Sequence, residues 1–360
     1  MTSPSSPTVP ARAAYRDVAL LIAAASGHSL WATVMIALRE YATIQVPHSG
    51  LVGRVLMAVG AIAMAGWLIR LTAARKSGSA WALAGAAALA AAVAADAAGL
   101  VPADGGSTSG VLAPLAGAGL TVWLVREILR HHGVRLHASA GPADADTQGG
   151  VFAAALLGFA AAGLAMVTVS LWFPQSTLSG HQLEAGGITT GSQAFAAFVW
   201  TAVAEELAET AAVLALLGAA GRPVREAVAL CLLLRLAGHA YLGAAAVAAM
   251  VAGAVAVLLF LRYRSVVPLL LAHFAWDAKV RDWVIPQLYA VDTGDGTRTV
   301  LLFASWRTST VTLLLTAGAA LWLLHFAQPT TASNSNQAGE AAGSGRTSPP
   351  AAASPARRAP

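Results

Sequence analysis

Charge is what this sequence has least of. Asp, Glu, Lys and Arg make up 11% of its 360 residues, against roughly 25% in a soluble domain, which excludes a fold whose surface is mostly wetted. Cysteine is nearly absent as well. The single thiol, Cys231, excludes an internal disulfide framework and any cysteine-only metal site, and its ordinary role is that of a small buried residue. The net charge of +5 is spread over loops and tails. No basic patch carries interleaved aromatics, which excludes a nucleic-acid reader.

What is present is apolar. The hydrophobic share is 57% and the mean hydropathy +0.65, built heavily from Ala, Gly and Leu. Small residues let membrane helices approach closely, whereas a soluble core of that composition would be loosely filled. The fold class expected is therefore all-α, a polytopic transmembrane helical bundle in a lipid bilayer. A span needs about 20 mainly apolar residues, and such windows fall at about 17–38, 51–71, 79–101, 109–129, 151–173, 192–217, 223–243, 244–261, 266–290 and 299–326. That gives ten spans, or eight without the weakest windows. Residues 1–16 and 328–360 are polar and Pro/Ser-rich, too poor in apolar surface to offset their conformational entropy, and are expected to be disordered tails. The first apolar segment has no convincing cleavage site after it and reads as a retained helix. A polar Gly/Pro/Asp stretch at 131–150 is expected to separate four leading helices (17–130) from a helical core (151–327). No inverted repeat of the transporter type is visible.

Lys and Arg fall mainly on one side of a ten-span arrangement: Arg12 and Arg16, Arg70 to Lys76, Arg126 to Arg135, Arg222 and Arg225, Arg262 and Arg264, and Arg346 to Arg358. The opposite loops carry Asp104, Glu184, Asp292 and Asp295, with Arg39, Arg54 and Arg298 as exceptions at helix ends. By the positive-inside rule both termini are expected in the cytoplasm. The Ala, Gly and Arg bias is that of a high-GC bacterial genome, so a bacterial plasma membrane is the expected location.

Against this background Glu205 and Glu206 stand out, two adjacent carboxylates inside the apolar run 195–217. A charge at the bilayer centre costs several kcal/mol and marks a functional site by default. Two further polar pairs lie inside later apolar segments: Arg235 with His239, and His273 with Asp277. Each is spaced i, i+4, which stacks both side chains on one helix face. Three such faces can line one interior cavity. Two imidazoles and a carboxylate can hold a zinc ion with an open position for water, while a second carboxylate takes the proton. Without a metal, a buried glutamate serves as general base and imidazole N–H groups bind the oxyanion. The residues leave both routes open. Glu209, nearer the cytoplasmic end, is expected to be solvated at the interface; His28, Asp96 and Arg307 are isolated and expected to snorkel or hydrogen-bond.

These residues resemble the motifs of the CAAX protease and bacteriocin-processing (CPBP) intramembrane proteases, also called abortive-infection-like membrane proteins. Glu205-Glu206 match that family's glutamate pair, with Thr210 at its arginine position. His239 matches the second motif, with Arg235 at the aromatic position, and Arg235-Leu236-Ala237-Gly238-His239-Ala240-Tyr241-Leu242-Gly243 resembles an Arg-x-x-Tyr-His-x-Tyr-x-Gly form seen in bacterial members. His273 and Asp277 look like the third motif, and Arg264 to His273 resembles its basic loop, proline and apolar run. The likeness covers about 151–280. It implies a membrane peptidase acting on a peptide or membrane-attached protein, with Glu205 as base, His239 its partner, His273 and Asp277 the stabilising pair, and Glu206 orienting Arg235. If a metal takes part, zinc on Glu205, His239, His273 and Asp277 is implied. Two other readings remain: a scaffold, immunity or regulatory protein without turnover, and an ion-coupled transporter relaying protons through Glu205, Glu206 and Asp277. The chain's last residues, Ala356-Arg357-Arg358-Ala359-Pro360, are not a prenylation signal.

Overall fold

The computed structural model describes residues 9–73, 80–99, 110–134, 136, 145–173 and 191–280, and among these every regular element is helical. The last predicted window, the 328–360 tail and Arg307 lie outside the described residues. Over their described residues the first nine windows correspond to helix, the ninth as far as residue 280: α1 (Ala11–Ala42), α2 (Ser49–Ala73), α3 (Ala80–Ala97), α4 (Leu112–His131), α5 (Ala145–Trp172), α6 (Gly191–Ala202) running on through a π-helical stretch (Val203–Ala212) into α7 (Val213–Ala219), α8 (Val224–Gly238), α9 (Ala246–Tyr263) and α10 (Val267–Ala275). Among the described residues, six helical segments, at α1, α2, α3, α4, α5 and the stretch 240–263, are long and apolar enough to cross a membrane. At 15 residues α8 spans about 22 Å at 1.5 Å per residue, short of the bilayer's hydrocarbon thickness.

Helix α1 begins at Ala11, several residues before the start expected from hydropathy. Its early charges are paired, which lets the helix run through them. Asp17 is 3% exposed and receives Arg16 at 2.9 Å and His132 Nε2, from the end of α4, at 2.8 Å. Just before α1, the Val9 N–H donates to the carbonyl of Ala219 at the end of α7, at 3.4 Å. Across the polar stretch 131–150 the packing does not part: one hydrophobic core runs from Val9 through α1–α5 to Trp276.

Small residues set the close contacts of that core. A methyl at Gly60 would lie 2.4 Å from the Ala24 carbonyl oxygen, and one at Gly117 would lie 2.6 Å from the Trp200 ring. Helices α1 and α2 therefore touch backbone to backbone. The α6–α7 rod sits at the centre, with every residue from Ala202 to Leu217 buried except Glu205, which is half-buried.

Of the isolated polar residues, Asp96 is the best explained. From the last turn of α3 its carboxylate accepts the Gly110 N–H at 3.0 Å and the Ala113 N–H at 2.9 Å, so it caps the first turn of α4 from a neighbouring helix. Replacing Asp96 by Ala should lower stability by about 1 kcal/mol, read as an earlier unfolding transition in detergent, whereas Asn, with one acceptor oxygen for two N–H donors, should retain only part of it. An unchanged transition in the Ala variant would count against the cap. His28 is likewise accounted for: its ring packs at 5.3 Å from the Trp200 ring, and its Nε2 lies 3.2 Å from Ser29 Oγ.

Candidate active site

The polar residues expected to share a cavity are carried by three separate parts of the bundle. Glu205 and Glu206 sit in the π-helical stretch after α6. In a π turn the backbone bonds reach five residues back, and such turns recur at functional sites. Thr210 helps hold it open: its hydroxyl donates to the Glu205 carbonyl, five residues earlier, at 2.8 Å. The position where the motif has an arginine thus serves the backbone. A second, shorter π turn, Trp276–Val280, follows α10 and carries Asp277.

The guanidinium comes from α8 instead. Arg235, 3% exposed, donates from one terminal nitrogen to Glu206 Oε1 at 2.7 Å and forms an ion pair with Glu205 through the other. Its stem passes over Gly253 of α9, where a methyl would crowd it at 3.2 Å. A planar fork that reaches two carboxylates at once is what Arg supplies and Lys does not. His273 of α10 completes the group. Its Nδ1 donates to the same Glu206 oxygen at 2.8 Å, so in the neutral ring Nε2 carries the lone pair. That nitrogen lies 4.0 Å from Glu205 Oε2 and 3.5 Å from Asp277 Oδ2.

Burial divides the roles of the two glutamates. The Glu206 side chain is fully buried, while those of Glu205 and Asp277 keep 13% and 17% of their exposure. Glu206 is therefore the internal anchor that orients both Arg235 and His273, and Glu205 is the carboxylate that a reactant can approach. Among the described residues, Glu206 Oε2 has no hydrogen-bond partner.

His239 is placed differently. It ends α8, where the chain breaks into the short 3₁₀ turn Ala240–Ala245 with Gly243 at a positive φ of 60°. Its Nδ1 lies 3.0 Å from the Arg235 carbonyl oxygen, and its ring stacks on Tyr241 at 6.2 Å. Helix α1 holds this break from outside: Thr33 donates to the Gly238 carbonyl at 3.0 Å and Tyr41 to the Tyr241 carbonyl at 2.9 Å. The leading helices thus take part in building the site.

Residues 188–279 match the family model described as type II CAAX prenyl endopeptidase Rce1-like. This part of the chain is Rce1-like. No curated protein and no solved structure matches the chain. The match runs from α6 through the π stretch, α7, α8, the 3₁₀ turn, α9 and α10 into the second π turn, and so includes all six site residues.

Within the Rce1-like region Glu205, Glu206 and His273 could hold a metal ion, since one ligand atom from each lies within 4.8 Å of the others. The grouping includes Glu206 and leaves out His239 and Asp277, which the resemblance had implied. Two carboxylates and an imidazole are donor types that zinc accepts. Arg235 competes with such an ion: its guanidinium lies on both carboxylates and Glu206 Oε1 already receives two donors, so an ion would take the free Glu206 Oε2 and share Glu205 with the guanidinium.

One expectation needs correction. Glu209, expected to be solvated at the interface, is 6% exposed, with Ser26 of α1 as a polar neighbour. Its position late in an apolar run hid the fact that α1 packs against it. Phe159 of α5, whose ring lies 4.7 Å from that of His273 at 41°, was not identifiable from sequence, because nothing separates it from the other apolar residues of α5.

Proposed function

We propose that this protein is an intramembrane endopeptidase that hydrolyses a peptide bond in a peptide or membrane-attached protein. The observation that carries the reading is the buried group of Glu205, Glu206, Arg235 and His273, together with the Rce1-like match of the segment that holds it. Energetically, two carboxylates in an apolar bundle are tolerated only when they are paired and put to use.

In this mechanism a water sits between Glu205 and His273 Nε2, whose 4.0 Å separation allows a hydrogen bond of about 2.8 Å to each. Glu205 accepts the proton as the water oxygen attacks the peptide carbonyl, and returns it to the departing amine. His273, doubly protonated between Asp277 on one side and Glu206 on the other, donates from Nε2 to the charge developing on the carbonyl oxygen. Glu206 holds Arg235 and His273 in register. His239, at the rim of the group, orients the substrate or water from the α8 break.

Because Arg235 already pairs with both carboxylates, the proposed route runs on these side chains alone. A zinc ion, were it bound, would supply an activated water in the same place. Cleavage by the detergent-purified protein is accordingly expected to survive metal chelation. Activity lost to a chelator and restored by zinc would reassign water activation to a metal.

A second reading is favoured by one observation. The proposed base is itself ion-paired with Arg235, as in a structural bridge, so the chain would then act as a scaffold or regulator without turnover. Cellular phenotypes separate the two. If Glu205→Gln and His239→Ala leave the phenotype intact while disruption of α1–α4 removes it, the scaffold reading holds. The membrane proposed is a bacterial plasma membrane with both termini inside, and reporter fusions at the loops between spans test that topology.

A further inference from the structure

Helix α5 lies outside the Rce1-like region, yet two of its residues, one turn apart, press on the part of the site that follows His273. Phe159, 5% exposed, sets its ring against the His273 imidazole at 4.7 Å with a 41° tilt. Four residues on, and hence on the same face, Gly163 presents bare backbone to Trp276. A methyl there would lie 2.6 Å from Cζ2 and 2.9 Å from Cη2 of the indole. Those atoms belong to a rigid ring that is itself buried, so the overlap cannot be absorbed by a flexible chain end. Trp276 is the first residue of the π turn and Asp277 the second. Where the indole sits therefore decides where Asp277 starts, and Asp277 Oδ2 is 3.5 Å from His273 Nε2.

We propose that α5 is the positioning element for His273 and Asp277: Phe159 sets the plane of the imidazole, and the gap at Gly163 seats Trp276 so that the π turn brings Asp277 to Nε2. Neither residue touches a reacting atom. The catalytic consequence rests on the hydrolase reading above; the positional one does not. At an active site a misplacement near 1 Å costs about 100-fold, so a single added methyl on α5 should be felt strongly at His273.

The test is a size exchange in the full-length protein in detergent, with two readouts. One is the NMR signal of isotope-labelled imidazole at fixed pH, assigned to His273 by its absence in His273→Gln. The other is kcat and KM for a cleaved peptide. Gly163→Ala is expected to move the His273 signal and to lower kcat by about 100-fold with little change in KM. Trp276→Phe, whose ring stops short of the Cζ2–Cη2 edge, should cause a smaller loss alone. Combined with Gly163→Ala it should return the signal towards its wild-type position and recover most of kcat. A His273 signal and kcat unmoved by Gly163→Ala, or a folded double variant with no recovery, would overturn the proposal.

If Gly163→Ala does not fold, Phe159→Leu carries the test. It keeps apolar bulk and removes the ring contact, and it should shift the same signal and lower kcat; no shift would again count against α5. The two readouts also separate this inference from the hydrolase reading. A signal that moves and returns in a protein that cleaves nothing would sink the hydrolase and leave the positioning role standing. Glu205-dependent cleavage with an unmoved His273 signal would do the reverse.

Discussion

Glu205→Gln is expected to abolish cleavage of a responsive substrate, by about 10²–10⁴-fold in kcat, the contribution of a well-placed general base. The amide keeps the shape of the carboxylate and can still accept a hydrogen bond from Arg235, but it cannot take a proton from water. Stability should not fall with activity. In the wild-type protein one guanidinium faces two carboxylates, and the substitution leaves one facing one, so burial becomes less costly. The experiment is therefore a paired measurement on the same preparation: turnover, and the unfolding transition in detergent. Loss of both together would mean that Glu205 is structural, and retained turnover would remove it as the base.

The second large effect is on stability. Arg235→Met removes the only guanidinium that the structure places on Glu205 and Glu206 among the described residues and strands two carboxylates in an apolar interior. Breaking a buried pair from one side costs about 3–5 kcal/mol, a large share of the stability of most proteins. Removing the stranded charge should recover part of it, so Arg235→Met/Glu206→Gln is expected to be more stable than Arg235→Met alone. That non-additivity is what a double-mutant cycle measures for groups in contact. Arg235→Lys should fall between, since an ammonium supplies a point charge but no fork. An Arg235→Met protein that unfolds with the wild type would mean that the pairing contributes nothing.

Much of this protein could be read in advance because the bilayer is a strict solvent. It penalises any unpaired backbone group, so long apolar runs are forced into helices, and nine predicted windows correspond to helix over their described residues. The same penalty made Glu205, Glu206, Arg235, His239, His273 and Asp277 conspicuous. Register could not be read so well. The π turns at 203–212 and 276–280 leave no mark on the hydropathy pattern. The pairing of charges depended on them: the motif position Thr210 carries no charge, and only the proximity of α8 shows that Arg235 serves both carboxylates.

By itself, then, the sequence determined the all-helical membrane class and the polar residues that had to find partners, because both follow from the cost of polarity in lipid. The motif resemblance anticipated Glu206 with Arg235 and His273 with Asp277; the remaining contacts were decided by the tertiary structure. Arg235 reaches across from α8, His273 turns Nδ1 to Glu206 rather than to Asp277, and Thr33, Tyr41, Phe159 and Gly163 brace the site from α1 and α5. The physical reason is that such contacts join residues far apart in the chain, and their distances depend on how small residues let the helices close together.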